Sequence, residues 1–145
     1  MCVENADATG AYTQSPMGGD LHVGTWITIE PDVIQRLVAK GKLKKEWLTM
    51  RRPVAKLDKA LEGHPKSGWY WERHCHSKIK QVGFEKFPGR ENLFVHRKWQ
   101  VLINAYVDDF KLACRGPLAP IWQALRIAGL DIDELIKYQT YLSFA

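Results

Sequence analysis

The chain predicts an α+β fold, an antiparallel sheet with helices packed on one face. Three observations carry that expectation. The runs "NLFVHRK", "WQVLINAYV" and "FKLAC" follow one another with short-period alternation and read as paired strands. Trp71, Cys75, Ile79 and Val82 fall at steps of four, four and three, which is one face of a helix. Helix-like and strand-like segments are interleaved and punctuated by breakers, notably Gly41, Gly83 and Gly129.

Taken in order, a first strand is expected to end near Asp7, before the turn-rich "TGAYTQSPMGGD". "TWITIE" alternates like a short strand. Pro31 with Asp32 opens a helix that runs through Lys40 and stops at Gly41. Val54 to Leu57 is another brief strand. The breaker "EGHPKSG" precedes an amphipathic helix from about Trp69 to Val82, ended by Gly83. Two strands joined near Lys98 follow, then "FKLAC". Gly116-Pro117 introduces a helix with Ile121, Leu125 and Ala128 on one side. The aromatic and β-branched "IKYQTYLSF" is expected to be the last strand.

"VLINAYVDDFKLAC" sets two adjacent acids inside an otherwise apolar run. Val101, Ile103, Ala105 and Val107 alternate with Leu102, Asn104 and Tyr106, so both faces read as mainly apolar. The pattern predicts a hairpin with Asp108-Asp109 as its two-residue turn. Asp suits such turns because it tolerates left-handed backbone. Two carboxylates about 5 Å apart repel by roughly 3 kcal/mol at an effective dielectric near 20. Apolar flanks sharpen that penalty, which a cation or protonation of one acid relieves. A third carboxylate converging on the turn would favour a metal site.

The 145 residues correspond to one domain with a sizeable core. Hydrophobic content of 46% and charged content of 26% are those of an ordinary globular chain, not a disordered one. No apolar run approaches the roughly 18 residues a membrane span requires. "MCVENADATG" has neither the basic nor the apolar region of a secretory signal. Cys2, Cys75 and Cys114 are odd in number and unclustered, which predicts a reducing, intracellular setting without a disulfide framework.

The net charge of +5 is unevenly placed. Between residues 40 and 59 stand Lys40, Lys42, Lys44, Lys45, Arg51, Arg52, Lys56 and Lys59 against only Glu46 and Asp58. Lysine runs are commonly solvated surface. Clustering of this kind also suits a phosphate backbone, with Lys44, Lys45, Arg51 and Arg52 as the candidate contacts.

An upstream acid that could join the hairpin is Asp7, in "DATGAY". There the glycine and small residues allow backbone N–H groups to face an anion closely. Taken together, "DATGAY", "KLDKALEGHPKSGWYWE" and "AYVDDF" resemble, in this order, the reverse transcriptase of copia-type retrotransposons. "DIDELIKYQTYLS" is similar to the family's segment after its palm helix, so the likeness spans about Asp7 to Ser143. YVDD alone is a weak signal; three blocks in order with a matching tail are a strong one.

The resemblance implies an antiparallel polymerase-palm sheet over residues 1–145, truncated at both ends, with fingers expected before it and thumb and RNase H after it. It implies RNA-directed DNA polymerisation by two-metal nucleotidyl transfer. Asp7 and Asp108 would be the main ligands of two Mg²⁺ ions, with Asp109 beside them and Mn²⁺ as a substitute; oxygen ligands suit such hard cations. Tyr12 matches the aromatic gate against a ribose 2′-hydroxyl, with the amides of Gly10, Ala11 and Tyr12 near the triphosphate. The implied partners are an RNA template, a DNA primer, deoxynucleoside triphosphates and the remainder of a retroelement polyprotein. The implied setting is cytoplasmic, in a virus-like particle, or nuclear. The family's "LYGLKQS" reads "LEGHPKS" here, which puts Glu62 in place of Tyr and Lys66 where a nucleotide-contacting Gln is expected. Lysine can meet a phosphate but cannot accept a hydrogen bond. The isolated chain is accordingly expected not to polymerise. A non-catalytic nucleic-acid-binding remnant and a decayed reading frame are the competing readings.

Other candidates weigh less. Adjacent ligands on a helix diverge, so His74-Cys75-His76 reads against zinc. His96 is expected on a strand surface. Trp69, Trp71, Trp99 and Trp122 could stack bases, but core packing is the commoner fate at these positions. Cys75 and Cys114 read as small core hydrophobes. If residues 40–59 follow a phosphate backbone, replacing Lys44, Lys45, Arg51 and Arg52 with Ala should reduce the salt slope of oligonucleotide binding by about 3, at roughly 0.7 per single-strand phosphate. Binding isotherms across a salt series measure it, and an unchanged slope marks ordinary solvated surface.

Overall fold

The computed structural model describes residues 1–17, 24–133 and 136–137. Two compact units emerge, one built from Met1–Pro16 with Ala60 onward and the other from Met17–Lys59. In the first, the strands are β1 (Cys2–Asp7), β4 (Glu85–Lys86), β5 (Leu93–His96), β6 (Val101–Tyr106), β7 (Asp109–Cys114) and β8 (Ile136–Lys137). Its helices are α1 (Ala11–Gln14), α3 (Ser67–Gln81) and α4 (Ala119–Ile127). In the second, β2 (Trp26–Thr28) and β3 (Val54–Lys56) flank α2 (Pro31–Ala39) and a 3₁₀ turn at Lys45–Thr49.

The larger sheet is antiparallel throughout, in the order β4-β5-β6-β7-β1-β8. The fold is thus α+β, as the alternation predicts. Pairing is in register across the middle: Ile103 opposes Leu112, Ala105 opposes Phe110, and Ala6 opposes Phe110 from the other side. Because side chains alternate across a strand, that register puts Val101, Ile103, Ala105, Phe110, Leu112 and Cys114 on one face, and all six are buried. Trp71, Cys75 and Ile79 of α3 and Ile121, Trp122 and Leu125 of α4 complete the same core. The opposite face stays open, with Leu102 41% exposed and Tyr106 exposed beyond it. The apolar reading of both β6 faces is therefore corrected: Leu102, Asn104 and Tyr106 face out.

The helices follow their sequence signals. Pro31 stands in the first turn of α2, where its missing N–H costs nothing, and Gly41 follows at φ 66°. Gly83 at φ 102° and Gly129 at φ 100° end α3 and α4, taking a backbone that a Cβ would strain. α3 begins two residues before the expected Trp69, at Ser67, whose hydroxyl donates to the Leu61 carbonyl at 2.5 Å. The short elements α1 and β4 and the 3₁₀ turn have no periodicity to announce them. Of the expected tail strand, Ile136–Lys137 pair with β1; the rest of "IKYQTYLSF" lies outside the described residues.

Within the first unit, the Ala60 N–H donates to the Ser15 carbonyl at 2.9 Å. Among the described residues, no helix is long and apolar enough to cross a membrane. The half-buried character of β6 gives a direct expectation. Ile103→Ala should cost about 2–5 kcal/mol in urea unfolding. Its neighbour Leu102→Ala should cost under about 1 kcal/mol. Similar losses at both positions would contradict the one-sided core.

Candidate carboxylate site

The expected hairpin turn is displaced by one residue. Tyr106 pairs with Asp109, so the turn is Val107-Asp108, and Asp109 is the first residue of β7. Two other contacts decide this. The β1–β7 register sets Asp7 opposite Asp109, and the Ala8 N–H donates to the Asp108 carbonyl at 2.7 Å. The consequence falls on Val107, a β-branched residue held at φ 52°. Left-handed backbone costs an L-residue roughly 1–2 kcal/mol, because Cβ crowds the following carbonyl. The indole N–H of Trp71, buried at the core face of α3, donates to the Val107 carbonyl at 2.5 Å and holds the turn.

The three aspartates named by sequence are therefore at one end of adjacent central strands. Asp7 and Asp109 share the open face, and Asp108 stands in the turn between β6 and β7. The Asp109 carboxylate is 46% exposed, with the Lys111 ammonium 3.9 Å away. At that exposure the pair is largely screened. A further acid joins from a segment sequence reasoning did not connect. Ala8 bridges Ile132, the Asp133 N–H donates to the Asp7 carbonyl at 2.9 Å, and the Thr9 hydroxyl donates to Asp133 Oδ1 at 2.6 Å. Asp109, Asp7 and Asp133 thus form one cross-strand row. The Gln14 side chain fixes this segment. It donates to the Thr9 and Asp131 carbonyls at 2.8 Å each and accepts the Asp131 N–H at 2.9 Å. Among the described residues, no group of three or more His, Cys, Asp or Glu side chains stands ready to hold a metal ion. The backbone gathers the acids without closing their carboxylates into a preformed ligand set.

Beside the turn lies a cavity of about 280 Å³, lined among others by Tyr12, Trp71, Glu72, Cys75, His76, Glu91, Tyr106 and Val107. Of the nucleotide candidates, Tyr12 reaches it. Gly10 takes φ 55° at the head of α1, and Ala11 is buried in the core. Lys66 is exposed just before α3 and does not line the cavity. Burial, then the Glu72 charge, pushes the Cys75 thiol up to about 12, so it stays protonated and inert at neutral pH. Burial also lowers the His76 pKa from its ordinary value; Glu72 opposes this and Lys86 and Lys80 reinforce it. His76 sits 3.8 Å from the Glu72 carboxylate and edge-on to Phe94.

His96 is corrected from strand surface to core: it is 8% exposed, stacked on Trp99 at 4.0 Å and edge-on to Phe84 at 5.2 Å. Trp71 and Trp122 are core residues, while Trp69 and Trp99 are substantially exposed. In the other unit, Lys44, Lys45, Arg51 and Arg52 are all exposed, and none is in an ion pair among the described residues. Comparison of the chain with protein-family models, curated proteins and solved structures found no match.

The turn yields a double-mutant test. Val107→Gly should stabilise the chain by about 0.5–1 kcal/mol, the relief of strain less the added chain entropy. Trp71→Phe should cost about 1–2 kcal/mol. In the Val107→Gly background that cost should shrink by at least about 0.5 kcal/mol, since the two residues act on one turn. Strict additivity in urea unfolding would show that the indole does not hold the turn.

Proposed function

We propose that the carboxylate end of the central strands is the nucleotidyl-transfer site of an RNA-directed DNA polymerase palm of the copia type. The observation carrying this reading is the β1–β7 register, which sets Asp7 opposite Asp109 across about a hundred residues of chain. Support comes also from the order of the three motif blocks and from Tyr12 and Val107 lining one cavity beside the turn.

The donor chemistry suits a hard divalent cation, since register sets the acidic residues Asp7 and Asp109 opposite each other at the exposed end of adjacent strands, with Asp108 in the neighbouring turn. Asp7, Asp108 and Asp109 would hold Mg²⁺ or Mn²⁺, which supplies activation of a primer 3′-hydroxyl and neutralisation of the triphosphate. The remaining work falls to the chain. Tyr12 walls the cavity where a ribose would lie and excludes a 2′-hydroxyl. Trp71 fixes the Val107-Asp108 turn through its carbonyl bond, so Asp108 approaches from a defined direction. Lys66, exposed ahead of α3, meets a phosphate as a point charge. The partners of this reading are an RNA template, a DNA primer, deoxynucleoside triphosphates and the rest of a retroelement polyprotein, in a virus-like particle or the nucleus.

A second reading, non-catalytic nucleic-acid binding, is favoured by the eight exposed basic residues between 40 and 59, none of them ion-paired among the described residues. The two separate on metal. Mn²⁺ titrated into the chain with a deoxynucleoside triphosphate should bind, and Asp7→Asn or Asp109→Asn should weaken it at least about tenfold, the scale of losing one charge-assisted ligand contact. Tyr12→Ala should lose the preference for deoxy- over ribonucleotide. Absence of Mn²⁺ binding by the unaltered chain would sink the polymerase reading.

A further inference from the structure

The unit formed by Met17–Lys59 carries a surface that the carboxylate site does not use. In its two-stranded ribbon, Trp26 opposes Lys56 and Thr28 opposes Val54. Residues directly opposite share a face, so these four form one side of the ribbon. All four are exposed, Trp26 at 60% and Val54 at 48%, while Ile27 and Ala55 on the other side are half-buried. A tryptophan this exposed is uncommon, because its ring gains most from leaving water.

The ring is also positioned. A Cβ at Gly24 would stand 3.3 Å from Trp26 Nε1 and 3.4 Å from Lys56 Cε. The indole edge and the lysine stem therefore both lie close over the Gly24 backbone, where a side chain at residue 24 would press on the ring by a few tenths of an ångström. This sets a flat aromatic surface beside an ammonium. Charge identifies what would cover it. Lys40, Lys42, Lys44, Lys45, Arg51, Arg52, Lys56 and Lys59 belong to this unit, are exposed, and enter no ion pair among the described residues. A polyanion is the complement of such a surface.

We infer that the Trp26–Lys56 pair is a single-stranded nucleic-acid platform, on which an unpaired base stacks against the indole while Lys56 meets the adjoining phosphate. Stacking needs an unpaired base with a free π-face, which a duplex withholds and a single strand offers. A purely phosphate-directed surface would have no use for an exposed indole, and an apolar partner seated on this face would strip the Lys56 ammonium opposite Trp26 of its hydration without supplying a counter-charge. The platform does not depend on the carboxylates binding metal, so it stands or falls separately from the polymerase reading.

The test is fluorescence anisotropy with a labelled 15-nucleotide oligothymidylate and a labelled 15-base-pair duplex, both titrated with the whole chain across a salt series. Trp26→Ala should weaken oligothymidylate binding roughly 5- to 100-fold while leaving its salt slope unchanged, since no phosphate contact is lost. Trp26→Phe should restore most of the affinity. Lys56→Ala should lower the slope by about 0.7. Circular dichroism melting verifies that the variants are folded, which the exposure of both side chains favours. The inference is overturned if the unaltered chain does not bind oligothymidylate at low salt, or if Trp26→Ala binds it as tightly as the unaltered chain. It is equally overturned if Trp26→Ala weakens duplex and single strand alike.

Discussion

The pairing of β1 with β7 is the constraint on which the larger unit depends. It runs unbroken from Cys2 opposite Cys114 to Asp7 opposite Asp109. A slip of one residue would move every side chain of β1 to the other face. Ala6, 1% exposed between α-helices and sheet, would then face water and Asp7 would be driven into the core. An unpaired buried carboxylate costs several kcal/mol, so hydrophobic burial on one face and solvation of the acids on the other select the same register. The closure is non-local, and its entropic cost is met only when the apolar row is complete. Core and acidic row therefore depend on the same register.

That register explains why the turn is strained. Two residues between Tyr106 and Asp109 must reverse the chain, and the first of them is valine. Type I′ and II′ turns match strand twist and need positive φ at their first central position, where glycine or asparagine is usual. Val107 adopts φ 52° because both ends are fixed from elsewhere: the Ala8 N–H holds the Asp108 carbonyl, and the Trp71 indole holds that of Val107. Such strain persists only where the surroundings over-determine it. Trp71 can act in this way because helical spacing with Cys75 and Ile79 anchors its ring in the core, which leaves the N–H at the ring's edge to reach the turn.

Much of this architecture is legible in the sequence, and the misses share a cause. α3 and α4 are readable because each combines a repeating apolar face with a glycine stop, and α2 because Pro31-Asp32 opens it and Gly41 ends it. β5, β6 and β7 are readable from alternation. The turn is displaced because Asp108-Asp109 has the chemistry of a turn, whereas pairing with β1, invisible locally, decides the register. His96 misleads because its polarity outweighs its position; two residues after Phe94, it belongs to the same buried face. Its Nδ1 accepts the Trp99 N–H at 3.1 Å, which satisfies the polar atom that burial would otherwise penalise. Asp133 escapes a reading of the sequence because its tie to Thr9 spans 124 positions and leaves no periodic trace. Trp26 escapes it because isolated aromatic residues in short strands usually pack inward, and β2 has only three residues in which to show otherwise.

The electrostatics of the acidic row follow from where the strands stop. Within a sheet, a row of like charges on adjacent strands is destabilising, and an interior row would be rare. At the strand ends water reaches Asp7, Asp108 and Asp133, all exposed, and screens much of their repulsion. Lys111 is the cation the chain itself supplies, two residues along β7 on the same face, at 3.9 Å from Asp109. Its four-carbon stem can swing away without disturbing the backbone, since no ladder bond involves the side chain. An arginine held in a bidentate pair would not yield so readily. Lys111 therefore offsets the charge of Asp109 alone, and only weakly, through a group that can be displaced, while Asp7 stands opposed to Asp109 in register.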